Sequence, residues 1–210
     1  NTGSGIFFNN GTIVNADTLT AKSKVGVNYG KNIADTIEGL MVGLAGGNTT
    51  ITSNLNITKQ NTVSLGEGAQ INTKNSQYYE AYSDNDISHT VNGKGAGLLE
   101  GTAAAKAITD ITMNNAINND ASLVDSSNFA TGDTVKGLFF GAYDLMKLNT
   151  GSKAKTPAGL VGVAIPINHT SYTRNNTVNM QAHAFLKSIK DIGLYSGADS
   201  SGAQDSLTMK

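Results

Sequence analysis

Gly39-Leu40-Met41-Val42-Gly43, Gly97-Leu98-Leu99-Glu100-Gly101 and Gly159-Leu160-Val161-Gly162-Val163 are three copies of one small-residue and aliphatic block. They begin at positions 39, 97 and 159, so the two intervals are nearly equal. A near-constant period of this kind marks units that bury their apolar face only against neighbouring copies. Between the blocks, polar and aliphatic residues alternate with period two, as in Thr18-Leu19-Thr20-Ala21 and Thr62-Val63-Ser64-Leu65. That is the strand period, and no helical period of 3.6 competes with it. A plain antiparallel sandwich alternates in the same way. The repeat, and the shortage of longer hairpin loops, argue against it. The expected fold is all-β, an elongated right-handed parallel β-helix. It forms a single segment over 1–210, with units roughly 15–76, 77–133 and 134–196 and a polar tail at 197–210 that frays. Three coils of about 20 residues in each unit would give roughly ten coils.

Composition points the same way. Of 210 residues, 24 are Asn and 23 are Thr. Asn closes tight turns and Thr favours strands, which suits many strands joined by many corners. Net charge is −1 with the signs interspersed, so no basic face for nucleic acid is expected. The most apolar block, around Leu40 to Ala45, is too short to span a bilayer. Cysteine is absent, which suits an exported bacterial protein. No signal peptide is visible, and a piece of a longer protein is expected.

Along the chain, Asn9-Asn10-Gly11 and Gly66-Glu67-Gly68-Ala69 read as corners. Ala103 to Ile108 has helical propensity but is assigned to a strand, because the matching positions of the other units are β-rich. The next stretch should point Ile108, Ile111, Met113 and Ile117 inward, and the polar run from Asn149 to Pro157 should be a corner. Asn residues at matching corners should stack into ladders.

Candidate sites are few. Tyr78, Tyr79 and Tyr82 cluster, with Tyr78 and Tyr79 on opposite faces at period two. They are the residues proposed to contact a partner, because exposed aromatics anchor protein or glycan ligands; core packing is the competing reading. Asp84 and Asp86 beside Tyr82 and His89 are better explained as a polar turn than as a carboxylate site. His89, His169 and His183 have no paired metal spacing and read as surface or corner residues. No nucleophile elbow or Cys nucleophile exists, and Gly66 and Gly68 lack the helix a phosphate loop needs. No catalytic residue, cofactor or metal is expected.

Leu65-Gly66-Glu67-Gly68-Ala69-Gln70-Ile71-Asn72 and Gly159-Leu160-Val161-Gly162-Val163 resemble the passenger repeats of filamentous-haemagglutinin-like exoproteins, exported by Gram-negative bacteria through two-partner secretion. Asp86-Ile87-Ser88 and Asp191-Ile192-Gly193-Leu194 look like the Asp-Ile-x-Leu element of those repeats. The Asn-rich, Trp-free composition is most similar to the fusobacterial leukotoxin type within that family. Glu100 departs from the pattern, standing where an aliphatic residue or Gly is usual. The resemblance implies a non-enzymatic segment of a secreted or cell-surface adhesin or toxin, a virulence factor that contacts host cells. It also implies a host cell-surface protein or glycan as partner and an outer-membrane secretion partner for the full-length protein. The segment itself would be monomeric. Two alternatives are a trimeric autotransporter adhesin head, which Asn61-Thr62-Val63-Ser64-Leu65-Gly66 also resembles, and a β-helical enzyme acting on polysaccharide, for which Asp84, Asp86 and Asp110 are the weak candidates.

Overall fold

Period-two alternation rich in Thr, Val and Ile gives strands almost throughout. The computed structural model describes residues 2–25, 33–43, 47–97, 100–126, 137–156, 161–197 and 206–209, and among these there is no helix. Three parallel sheets result. The first holds β1 (Thr2–Phe8), β5 (Gly47–Leu65), β8 (Glu100–Asn119) and β11 (Val161–Met180), in that order. The second, of short strands, holds β2 (Ile13–Ala16), β6 (Gln70–Thr73), β9 (Ser122–Asp125) and β12 (Phe185–Ser188). The third has β7 (Gln77–Gly97) and β10 (Leu138–Lys155) at its centre. Beside β7 lie β3 (Leu19–Val25) and β4 (Ile33–Gly43), and beside β10 lie β13 (Ile192–Gly197) and β14 (Ser206–Met209). The chain visits first, second and third sheet in the same order four times, an arrangement compatible with a parallel β-helix.

The registers carry the period seen in the sequence. The closest paired positions in the chain are 70 and 122, and the most distant are 122 and 185. Coils a third of a unit long would instead pair residues within one unit. The described pairings correct that expectation: one whole unit passes between neighbouring layers. The glycine blocks sit where the third sheet hands over to the first. Gly43 pairs with Gly97 in the third sheet, while Gly101 lies between Gly47 and Gly162 in the first. Leu98, Leu99, Gly159 and Leu160 lie outside the described residues.

Several local expectations hold and others do not. Ala103–Ile108 is strand, inside β8. Gly66–Ala69 is a corner closed by the Ala69 N–H donating to the Gly66 carbonyl at 3.1 Å, with Gly68 at φ +70°. Asn149–Lys155 is not a corner but the continuation of β10, paired with β7 throughout. Asn149, Lys153 and Lys155 are exposed on the outer face, and Thr150 faces a polar part of the interior. Thr150 Oγ1 shares a 2.9 Å hydrogen bond with Thr170 Oγ1 and accepts one from Asn168 Nδ2 at 3.1 Å. Ile111, Met113 and Ile117 point inward, but Ile108, of the opposite parity, points outward. Asn ladders form along strands rather than at corners, with Asn175 donating to Asn114 and Asn179 to Asn118, both at 2.8 Å. Within the tail, 206–209 is β14, paired with β10.

The first and third sheets face each other across the core, and the packing tapers. Nearest the second sheet the inward residues are large: Leu65, Ile71, Tyr79, Ile117, Leu123, Leu138 and Phe140. Ile87, Ile111, Met113 and Leu148 follow. Val91, Ala105 and Ala107 fill the far end. Polar rungs interrupt these clusters. Asn61 Nδ2 donates to Asn115 Oδ1, and Asn115 Nδ2 to Asn176 Oδ1, both at 2.7 Å. His89 is fully buried, its Nδ1 2.7 Å from Thr109 Oγ1 and its Nε2 2.9 Å from Ser53 Oγ.

Tyr79 is part of this core, and its burial pushes the phenol pKa up from its ordinary value of 10.0. The native state keeps the proton after the unfolded chain has lost it, so this contribution is complete below pH 10 and falls as pH rises further. Lys59 is held below its ordinary value, chiefly by burial, and acts in the opposite sense. Tyr79→Phe removes the phenol alone. Urea unfolding should therefore show wild type losing about 1 kcal/mol more than the variant between about pH 10 and about pH 11. Equal slopes would mean that Tyr79 ionises as readily folded as unfolded.

Candidate functional site

The parity of β7 decides which tyrosines can meet a partner. Odd-numbered residues face the core, so Tyr79 is fully buried, its hydroxyl donating to Gln77 Oε1 at 2.8 Å. Gln77 in turn donates to the carbonyls of Ile71 and Val124 at 3.2 and 3.0 Å. Tyr79 thus belongs to the packing reading and not to a contact surface. Tyr78 and Tyr82 stand half-exposed on the outer face of the third sheet.

Register then assembles around them a strip that sequence reasoning missed. Phe139 pairs with Tyr78, and Tyr143 with Tyr82. Tyr82 and Tyr143 stack with ring centroids 4.9 Å apart. Phe139 lies between Tyr78 at 6.0 Å and Tyr195 at 5.1 Å. Lys24 Nζ sits 4.6 Å from the Tyr82 ring centre, and Lys22 pairs with Glu80 at 2.6 Å. Glycine leaves room for the rings to lie across the sheet. A Cβ at Gly141 would meet Phe139 at 3.0 Å and Tyr143 at 3.2 Å, and one at Gly193 would meet Tyr195 at 3.1 Å. The alternation Phe139-x-Gly141-x-Tyr143 was the available signal, but only the register places its rings beside Tyr78 and Tyr82.

The same face changes character along the strands. Asp86 pairs with Lys147 at 3.0 Å. Farther on, Lys94, Lys153 and Lys155 gather with Asn92 around a hollow of about 210 Å³. At the usual rise per residue, Tyr82 and Asn92 are separated by about 33 Å of strand.

Asp84, Asp86 and Asp110 do not converge on one site. Asp84 and Asp86 share the outer face of β7, with His89 on the inner face, while Asp110 is on the first sheet. His169 is exposed on β11, and His183 sits in the corner between β11 and β12. No helix of the described residues is long and apolar enough to cross a membrane.

Comparison with protein-family models, curated proteins and solved structures finds no match for this chain. Among the described residues, fold and surface define an all-β arrangement of three parallel sheets carrying an aromatic strip on one outer face.

Proposed function

We propose that this chain is a non-enzymatic, right-handed β-helical segment of a secreted or surface-displayed bacterial adhesin or toxin, and that it binds an acidic host-cell glycan along the outer face of its third sheet. The observation that carries the reading is the strip of Tyr78, Tyr82, Tyr143 and Tyr195, packed about the buried ring of Phe139 and continued along the strands by Lys94, Lys153 and Lys155. Aromatic faces offer rigid, amphipathic area on which the C–H faces of pyranose rings pack at little entropy cost. Lysines at the far end supply counter-charges for acidic sugars. Pairing across a whole unit, as between Gln70 and Ser122, favours a large-coil helix over a short-period trimeric head. The resemblance to filamentous-haemagglutinin-like exoproteins, including the leukotoxin type, supplies the export route and the host-cell context.

The test is flow cytometry of labelled chain on leukocytes, with and without enzymatic removal of acidic sugars. Wild type should bind in a salt-sensitive, glycan-dependent manner. Tyr82→Ala combined with Tyr195→Ala should weaken binding at least tenfold, as loss of aromatic anchors does. Equal binding by the double variant, or binding indifferent to the glycans, would overturn the proposal.

A further inference from the structure

The corners joining the first sheet to the second stack in a column, and they differ in length. Four residues join β1 to β2, β5 to β6 and β11 to β12, but only Asp120 and Ala121 join β8 to β9. The short corner leaves a recess between the longer corners on either side. Glu67 reaches into it from one side and His183 from the other, with Asp120 between them.

The approach is closer than the fold requires. Glu67 and His183 belong to layers two apart, about 9.6 Å at the usual strand spacing. Yet Glu67 Oε1 lies 3.8 Å from His183 Nδ1. Asp120 Oδ1 lies 3.3 Å from the same nitrogen and Asp120 Oδ2 3.4 Å. These separations are long for hydrogen bonds. They are close to the spacing of two ligands on one tetrahedral zinc, about 3.4 Å for bonds of about 2.1 Å. One donor atom from each residue lies within 4.8 Å of the other two. Asp120 is held for this position: the His183 backbone N–H donates to Oδ1 at 2.9 Å, and its side chain is 16% exposed. Glu67 and His183, at 60% and 61%, are open to solvent.

We propose that Glu67, Asp120 and His183 form a binding site for one divalent transition-metal ion of zinc type. The imidazole and two carboxylates fill three positions, and the fourth is left to water or a partner's ligand. Nitrogen with oxygen donors selects a borderline ion over calcium, which takes six to eight oxygens. Such an ion would clamp three layers at one point, where otherwise two carboxylates face each other.

Calorimetric titration of the whole chain with zinc chloride tests this, with circular dichroism as the check on folding. One zinc per chain is expected, unaffected by excess calcium. Binding should weaken at least tenfold in His183→Ala and in Asp120→Asn, which keeps an acceptor for the His183 N–H. His169→Ala, on the open face of β11, should bind as wild type does. Cobalt substituted at the site should give the intense visible absorption of tetrahedral coordination. No saturable binding by wild type, or unchanged binding by His183→Ala, would show that the cluster is only an ion pair of His183 with its acidic neighbours.

Discussion

Phe140→Ala is expected to lower the free energy of unfolding by about 3–5 kcal/mol, the range for deleting a buried aromatic side chain and leaving its cavity. Phe140 is fully buried and stacks on Tyr79 of the neighbouring layer, with ring centroids 5.2 Å apart and planes 17° apart. On its other side the register places Leu194. In a stacked array each layer depends on its neighbours for burial, so loss at this contact weakens the layers above and below together. Phe7, which is 66% exposed on β1, provides the control. Its alanine variant should lie within about 0.5 kcal/mol of wild type. Urea unfolding of the two variants decides the matter, and equal losses would mean that Phe140 does not hold the layers together.

This contact also shows how much could be read beforehand. The strands, their parallel stacking and the long period follow from the glycine blocks and the alternation. That Tyr78 and Tyr79 face opposite ways follows from period two. Which of them faces inward does not, because parity is fixed across strands: Tyr79 pairs with Ala21 and Phe140, far away in sequence. The coil size was hidden for a different reason. Inward positions such as Ser53, Asn61, Ser83, Asn85, His89, Thr109 and Asn115 are polar. Several hydrogen-bond one another in the interior, Asn61 with Asn115 and His89 with Ser53 and Thr109, so long continuous strands such as β7, β8 and β10 read as short strands broken by corners. The two candidate sites share this limit. Phe139 and Tyr195, or Glu67, Asp120 and His183, become neighbours only when strand pairing brings together positions one or two whole units apart.

Arg174→Ala is expected to cost about 3 kcal/mol, the low end for breaking a buried ion pair, and adding Asp144→Leu should recover much of that loss. Asp144 points into the core from β10 and its side chain is fully buried. Arg174 Nε donates to Asp144 Oδ1 at 2.8 Å. Asn176 Nδ2 donates to the same oxygen at 2.6 Å, and the Tyr172 hydroxyl donates to Oδ2. Removing Arg174 leaves a carboxylate out of water with only neutral donors, and an uncompensated buried charge costs several kcal/mol. Arg174 is itself 32% exposed, which places the expected loss at the lower end of that range. Replacing Asp144 by leucine removes the charge and fills the space with apolar atoms, which the neighbouring Met146 and Met113 can pack against. The two residues touch, so their effects should not add, and the double variant should be more stable than Arg174→Ala alone. If Arg174→Ala instead costs under about 0.5 kcal/mol, the pair behaves as an exposed one, and solvent reaches Asp144 at the open side of β11.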